Sequence, residues 1–354
     1  MAAKEQVAEE RQDQQAPRAQ PPGRPEEAWL DVKSEVARTL IAAMEKGETP
    51  WQKPWSSQAM RPRNSVTGNG YRGINRILLS LAGGPGLFVT YQQAKSMGWQ
   101  VRAGAKGTMI VKVVDLDADG AKSDGAKQEP PAGRSDQRPE RGAEQSGRRN
   151  VILKRYYVFG AHQIDGMPEL APPSEPEFDP IDKAESIMKA MQERTGLKVL
   201  YGKKAACYVP ALDEIHLPAK KSFRSAYDLA SVQMHELGHS TLSDNRLARR
   251  DALGKRWGGQ AYAIEELRAE ISSAILSAEL GIEMTDAQRE KHMANHASYL
   301  QSWIKAIRND PMAIFTAARD AEKMAEYILG IERQHTAMKG HTEWVAEYDA
   351  TPAR

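Results

Sequence analysis

Two histidines and a glutamate in the stretch SVQMHELGHST, residues 231–241, have the types and spacing of a metal site. His235 and His239 are four residues apart, so on a helix their imidazoles lie on one face and can reach the same ion. Glu236 directly follows the first histidine, which places its carboxylate beside the ion, where it can take a proton from a water that the ion activates. The apolar residues over 226–237 have a mostly helical spacing. The pattern therefore predicts a catalytic zinc site of the H-E-x-x-H type.

A catalytic zinc ion also needs a third protein ligand and an open position. A second amphipathic helix is predicted over residues 261–282, and it carries three glutamates. Glu266 and Glu270 are four apart, so Glu266 can bind the ion while Glu270 holds the ring N–H of a ligand histidine. Glu265 points about 100° away from Glu266 and is expected to face solvent. Asp244 is an alternative third ligand because it lies close to the motif in sequence, and a charged outer helix face is the alternative role of the glutamates.

The composition bounds the class of protein. The chain has 354 residues, 40% of them hydrophobic, which supports two domains with ordinary cores. Its single cysteine, Cys207, excludes an internal disulfide framework and favours the reducing cytoplasm. The charged N-terminal stretch contains no apolar run, so we expect no signal peptide, and no stretch is apolar enough to cross a membrane. A net charge of +2 indicates no partner by itself.

Shifts in composition divide the chain into parts. Gln, Pro, Ala and charged residues dominate the start of the chain, which we expect to be disordered. Residues 117–150 are rich in Gly, Pro and charge, and they are predicted to form a flexible loop that interrupts a pair of strands. The predicted fold class is α+β, with a small α/β domain followed by a mostly helical domain that has a short sheet. The predicted parts are a tail over 1–28, a first domain over 29–167, a linker over 168–180, a second domain over 181–334 and a C-terminal tail over 335–354.

The segment over residues 49–114 is strongly basic, with nine Lys or Arg residues and no Asp or Glu. Lys154 and Arg155 extend it beyond the loop, and tryptophans and tyrosines are interleaved with the charges. Basic side chains neutralise phosphates, and aromatic faces stack on unpaired bases at about 1–3 kcal/mol per base. Single-stranded nucleic acid is favoured over duplex because no recognition helix or zinc finger is visible. The alternative is that aromatics such as Trp55 and Tyr157 belong to the core and the charges to a solvated face.

Several stretches resemble a known family. The first half contains TPWQKPW, TGNGYRGIN, QAKSMGWQVRAGAKGTMIVK and RYYVFGAHQIDGM. These resemble the N-terminal single-stranded-DNA-binding domain of the ArdC-type antirestriction proteins, which also occurs on conjugative plasmid primases of the TraC type. The second half contains HELGHST and YAIEELRAEISSAILSAELGI, which resemble the zincin-like metallopeptidase domain of the same family. The resemblance covers roughly residues 29–116 and 151–333.

The resemblance implies a protein that is carried on mobile elements and protects incoming DNA from host restriction. It implies His235 and His239 as zinc ligands, Glu236 as the catalytic base and Glu266 as the third ligand. Single-stranded DNA is the implied partner, together with a peptide or protein substrate. The residues predicted to contact DNA, from the resemblance and the basic segment together, are Trp51, Lys53, Trp55, Arg63, Tyr71, Arg72, Asn75, Arg76, Lys106 and Arg155.

Two other functions are compatible with the same motifs. The protein could coat single-stranded DNA without catalysis, with the metal serving structure, or it could be a protease that acts on DNA-bound proteins. The intact Glu236 favours catalysis, because a structural zinc site closes its fourth position with a protein ligand and needs no base. His292, His296 and Tyr299 form a helical stripe from which an oxyanion could be stabilised, although packing is the more usual role of such a stripe. The sequence identifies neither the peptide substrate nor the oligomeric state.

Overall fold

A computed structural model of the chain describes residues 25–51, 61–83, 86–115, 151–168, 179–250, 259–282 and 299–350. The described part of the first half contains three α-helices and six strands. The helices are α1 (Pro25–Glu45), α2 (Ile74–Ala82) and α3 (Tyr91–Ser96). The strands are β1 (Arg63–Asn64), β2 (Leu87–Thr90), β3 (Gln100–Val101), β4 (Thr108–Asp115), β5 (Val151–Gly160) and β6 (Ile164–Asp165). The predicted loop 117–150, most of the predicted linker and the predicted tail up to residue 24 lie outside the described residues.

The longest strands of the first half pair with each other. Four strands form a sheet in the order β1-β2-β5-β4, and β3 pairs with β6 in a second, two-stranded sheet. β4 and β5 are antiparallel, with Asp115 opposite Val151. The strands on either side of the predicted loop are therefore neighbours, as the sequence predicts.

The second half is mostly helical and has one short sheet. Its elements are α4 (Pro180–Thr195), β7 (Lys198–Tyr201), β8 (Cys207–Val209), β9 (Glu214–Leu217), α5 (Ala226–Ser240), α6 (Gln260–Leu280), a helical segment over 299–309 and α7 (Met312–Ala350). The sheet has the order β7-β9-β8, so β8 is an edge strand. The α+β prediction is confirmed. α7 continues to Ala350, through most of the segment that we predicted as a C-terminal tail.

Local sequence signals explain where the helices of the second half begin and end. α4 begins after Asp179, whose side chain accepts a hydrogen bond from the backbone N–H of Ile181 at 2.7 Å. It ends at Gly196, which adopts the left-handed conformation that glycine reaches without steric cost. α5 begins after Ser225, whose hydroxyl accepts from the N–H of Asp228 at 3.1 Å. None of the described helices has the length and apolar character needed to cross a bilayer.

The largest hydrophobic cluster among the described residues runs through both halves, and two smaller clusters lie within the first half. The largest cluster joins Leu40 and Met44 of α1 to Leu237 of α5, Leu267 of α6 and Ile314 of α7, all of them buried. Burying a side chain of this size stabilises a fold by roughly 1.5–3 kcal/mol. The two halves are therefore held together by apolar packing and not only by the connecting chain.

Aromatic side chains form part of that shared core. Trp51 is 1% exposed and meets Trp303 edge to face, with ring centroids 5.7 Å apart. Trp303 stacks on Tyr299 at 6.1 Å and donates a hydrogen bond from Nε1 to the carbonyl of Ala263, in α6, at 2.9 Å. Tyr299 in turn lies 6.5 Å from Tyr262 of α6. These contacts run from the first half of the chain to the helix that carries the candidate metal ligands.

Arginines of the basic segment bind glutamates of the second half. Arg76 contacts Glu322 of α7 at 3.0 Å, and the same carboxylate accepts a hydrogen bond from the N–H of Gly73 at 3.2 Å. Arg72 contacts Glu326 at 2.6 Å. Arg61 forms an ion pair in the same way with Glu279 of α6, and burial, with the charge of Arg76, lowers the pKa of Arg61 to about 10. These arginines therefore form ion pairs that connect the first half of the chain to α6 and α7.

Candidate metal centre

Helix α5 presents both histidines to α6. His235 and His239 lie one turn apart, with ring centroids 4.8 Å from each other. Between them lies Gly238, where a Cβ atom would be 3.3 Å from the Cα of Ala269 and 3.2 Å from Cε of Met324. Glycine therefore allows a close approach of α5 to α6, and this approach brings the imidazoles within reach of the glutamates of α6.

The structure brings the three predicted ligands together. The Nε2 atoms of His235 and His239 are 3.2 Å apart. The carboxylate of Glu266 lies 3.6 Å from Nε2 of His235 and 3.4 Å from Nε2 of His239. Donor atoms about 2.0–2.1 Å from a tetrahedral zinc ion are about 3.3 Å from one another. The two imidazoles and the carboxylate, through either of its oxygens, are thus close enough to bind one ion, and they form the one such group of His, Cys, Asp or Glu side chains found among the described residues.

A second pair of carboxylates holds the other ring nitrogens. Glu270 lies 3.4 Å from Nδ1 of His235, as predicted, and Glu265 lies 3.5 Å from Nδ1 of His239. The expectation that Glu265 faces solvent is wrong, because its side chain is 1% exposed. Arg249 donates two hydrogen bonds to Glu265, at 2.9 and 3.0 Å, and Arg268 approaches it at 3.5 Å. Partners of this kind fix the orientation of a ligand imidazole and turn Nε2 toward the ion.

Without a metal ion, the electrostatics of the site favour the charged forms of His235 and Glu266. Burial lowers the pKa of His235, but hydrogen bonds to Glu266 and Glu270 and the charge of Glu236 raise it well above its ordinary value overall. Burial raises the pKa of Glu266, but the hydrogen bond with His235 and the charges of both imidazoles bring it below the ordinary value. The carboxylate is therefore ionised at neutral pH, which is the form that binds a metal.

Glu236 is placed to accept a proton. Its side chain is buried, and Oε2 has no hydrogen-bond partner among the described residues. Burial and the charge of Glu236 raise the pKa of Cys207, so the edge strand β8 lies near this carboxylate. α5 packs against both β8 and β9. The carboxylate is thus on a helix that packs against β8, which has one unpaired edge among the described strands.

Tyr262 is a site residue that the sequence reasoning missed. Its hydroxyl is hydrogen-bonded to Glu266 and to Tyr299, and burial together with these contacts raises its pKa. It precedes Glu266 by four residues on α6, so helical spacing was a signal that could have found it. Asp244 is 70% exposed and pairs with Arg250 at 3.6 Å, while His292 and His296 lie outside the described residues.

Four of the predicted DNA-contacting residues have structural roles in the protein. Trp51 is buried in the core and cannot stack on a base in this conformation. Asn75 binds the edge of β4, with both the N–H and the carbonyl of Val111 at 2.7 Å from its side-chain amide. Arg76 is buried against Glu322, and Arg72 is exposed but paired with Glu326. We therefore correct the predicted DNA face by removing Trp51, Asn75 and Arg76.

The remaining predicted DNA contacts are mostly at the surface. Tyr71 is half-buried, with its hydroxyl 3.3 Å from Nδ2 of Asn64, and Arg63 is partly exposed. Lys106 is exposed, and Arg155 is exposed but binds Glu35 of α1 at 2.9 Å. The predicted contacts Lys53 and Trp55 lie outside the described residues.

Comparison with known families agrees with the fold and the site. Residues 183–320 match a family described as a zincin-like metallopeptidase, which is the class that the histidine-bearing helix, the glutamate-bearing helix and the short sheet define. Residues 30–159 match the N-terminal domain of the anti-restriction factor ArdC. The chain belongs to the ArdC-type antirestriction family.

Individual relatives cover most of the chain. The crystal structure of the antirestriction ArdC protein from the R388 plasmid, in its metal-free form, is 32% identical, covers 86% of this chain and 98% of its own, and superposes with a TM-score of 0.62. Its Mn(II)-bound form is 31% identical, covers 85% of this chain and 98% of its own, and has a TM-score of 0.61. A DNA primase TraC of Escherichia coli is 39% identical over 85% of this chain, but the match spans 27% of that protein. The protein y4eC of Sinorhizobium fredii is 31% identical over 84% of this chain and 91% of its own.

Proposed function

We propose that this protein is a zinc metallopeptidase that binds single-stranded DNA and protects incoming DNA from restriction. One observation carries the catalytic part. The two imidazoles and the carboxylate of Glu266 approach one another pairwise to 3.2, 3.4 and 3.6 Å, beside a buried oxygen of Glu236 that has no hydrogen-bond partner among the described residues. A site that served structure alone would close its fourth position with a protein ligand and would have no use for this carboxylate.

His235, His239 and Glu266 would hold the ion, and a zinc ion would activate water and polarise a substrate carbonyl. Glu236 would accept a proton at its unpartnered Oε2 and later return it to the leaving amine. Glu265 and Glu270 would keep the imidazoles oriented through Nδ1. The Mn(II)-bound ArdC structure supports a divalent ion in this fold, and two imidazoles with one carboxylate suit zinc.

The substrate would be an extended peptide. Among the described strands β8 pairs with β9 alone, so one of its edges is open to a further strand. A peptide that adds to this edge satisfies its backbone hydrogen bonds and passes the carboxylate of Glu236, which lies near Cys207 of β8. The open edge thus supports a peptidase in preference to a hydrolase of small molecules.

The DNA-directed part of the proposal has separate support. The segment over 49–114 contains nine basic residues and no acidic residue. The first half matches the ArdC N-terminal domain, and the relatives include an antirestriction protein from a plasmid. Binding of single-stranded DNA would place the peptidase on DNA that enters the cell.

Transfer of a plasmid that bears restriction sites into a restricting recipient tests the proposal. The protein is supplied as wild type, as Glu236→Gln or as Asp244→Asn, which makes the same chemical change at an exposed carboxylate outside the site. We expect protection by wild type and Asp244→Asn and none by Glu236→Gln, with equal metal content in all three. Equal protection by Glu236→Gln would mean that the protein acts by covering DNA, and protection by none would refute the antirestriction function.

A further inference from the structure

One face of the β4–β5 ribbon, residues 108–115 and 151–158, carries a concentration of positive charge. Lys112 and Lys154 are directly opposite each other in the antiparallel register, so their side chains lie on the same face. Both side chains are exposed, and neither has a carboxylate within ion-pairing distance among the described residues. Like charges in opposite positions destabilise a strand pair. The opposite placement of Lys112 and Lys154 therefore destabilises the ribbon, and a function other than stability would explain why lysines occupy both positions.

The two faces of the ribbon have different surroundings. Val111 and Leu153 point to the opposite face, where they are buried in the core that α1 and α2 share. On that face Arg155 has a partner, Glu35 of α1, at 2.9 Å. The lysine face has no acidic residue at any of its alternate ribbon positions. Among the described residues, therefore, the ribbon supplies no counter-charge to the two lysines.

An aromatic ring lies next to the two lysines. Tyr156 follows Lys154 by two residues on β5, so it is on the same face, and it is diagonal to Lys112 across the ribbon. Its side chain is 40% exposed. A buried neighbour of the same face shows the contrast, since Val158 is fully covered by the packing around Phe88. Two ammonium groups beside an open aromatic ring are the groups that bind a phosphate backbone and an unpaired base.

We infer that this lysine face binds single-stranded DNA, with Lys112 and Lys154 contacting phosphates and Tyr156 stacking on a base. The inference rests on the proposed DNA-binding function and locates it. It replaces Asn75 and Arg76 of α2, which are bound to the protein itself, with residues of the ribbon. Unpaired DNA is the occupant because the ring can reach a base face only where bases are not paired.

Fluorescence anisotropy with a labelled oligothymidylate tests the inference on the full chain. The variants are Lys112→Ala/Lys154→Ala, Tyr156→Ala and Tyr156→Phe. The control is Lys204→Ala/Lys221→Ala, which removes two exposed lysines from the second half and changes the net charge equally. Circular dichroism and metal content show that each variant is folded.

We expect Lys112→Ala/Lys154→Ala to reduce the magnitude of the slope of log K against log salt by about 1.4. This corresponds to the loss of two phosphate contacts at about 0.7 each on a single strand. Tyr156→Ala should weaken binding about 5- to 150-fold, and Tyr156→Phe should bind nearly as the wild type does. The control variant Lys204→Ala/Lys221→Ala should reduce the slope by no more than half of that amount. An unchanged slope and affinity in Lys112→Ala/Lys154→Ala, with tight wild-type binding, would overturn this location but not DNA binding itself. A wild type that binds no oligothymidylate would refute the proposed function, and tighter binding of duplex would refute the single-stranded occupant.

Discussion

Replacing Glu265 with glutamine should weaken metal binding and also destabilise the metal-free fold. Glu265 never touches the ion in the proposed site, because its carboxylate lies 3.5 Å from Nδ1 of His239, on the far side of the ring from the donor atom. It also accepts two hydrogen bonds from Arg249 and lies 3.5 Å from Arg268. The substitution keeps the size of the side chain and removes its charge.

The size of each effect follows from these contacts. Loss of a carboxylate that orients a ligand histidine typically lowers metal affinity 10- to 100-fold. Removal of one partner from a buried ion pair costs about 3–5 kcal/mol of stability. The lower end of that range applies here, because Arg268 keeps Asp320 at 3.0 Å and the amide oxygen still accepts one hydrogen bond. We therefore expect a loss of about 3 kcal/mol in the unfolding free energy of the metal-free protein.

Two measurements separate the effects. Competition with a chromophoric chelator gives the zinc affinity, and urea unfolding in the presence of a chelator gives the stability of the metal-free protein. Glu270→Gln is the companion variant, since Glu270 lies 3.4 Å from Nδ1 of His235 and should also lower the affinity. Asp244→Asn is the control. If Glu265→Gln retained wild-type zinc affinity within threefold, the assignment of Glu265 as the carboxylate that orients His239 would be refuted.

Three further outcomes are expected. Burial lowers the pKa of His235, but its hydrogen bonds to Glu266 and Glu270 raise the pKa overall. Metal affinity should therefore increase as the pH rises through this raised pKa, because the metal binds the neutral imidazole. The stability that protonated His235 gives the metal-free protein is fully present below about pH 6.5 and is lost as the pH rises through the raised pKa. Affinity and unfolding measured across pH check this, and a pH-independent affinity would contradict it. Trp51→Ala should reduce the unfolding free energy by about 3–5 kcal/mol in chemical denaturation, and a loss under 1 kcal/mol would mean that its burial stabilises little. Arg76→Ala should lower the melting temperature while DNA affinity stays within about twofold; lost DNA binding at unchanged stability would return Arg76 to the DNA face.

The grouping of the candidate ligands was predictable from sequence because helical spacing puts each set on one face. His235 and His239 share a face of α5, and Glu266 with Glu270 shares a face of α6, whereas the choice between Glu266 and Asp244 as third ligand needed the packing of the two helices. Glu265 was not predictable in the same way. A helical wheel shows in which direction each side chain points from the helix axis. It predicts a solvent-exposed side chain only where one face of the helix is in contact with solvent. α6 is buried almost all round, so a charge that points away from Glu266 meets Arg249 and His239 in place of water.

The DNA face was harder to predict because charge along a sequence does not show which partners the fold supplies. Arg61, Arg72 and Arg76 belong to a segment without a single acidic residue. Their partners are Glu279, Glu322 and Glu326, more than two hundred residues later in the chain. The opposite case cannot be read from the sequence either, since the exposure of Lys112 and Lys154 depends on which positions of the ribbon the rest of the fold covers.

The basic residues of the first half therefore have two roles, and the extent of their burial distinguishes the two. Arginines near α2 are desolvated against carboxylates of α6 and α7, where a bidentate, permanently charged group is best suited to a buried ion pair. Lysines on the ribbon stay hydrated and without a carboxylate partner among the described residues, as suits contacts with a mobile phosphate backbone. The arginine pairs and Trp51 bind the first half to the helices of the candidate metal centre, and the two halves share one core. DNA bound to the ribbon, as we infer, would therefore be held at a fixed position relative to the candidate active site.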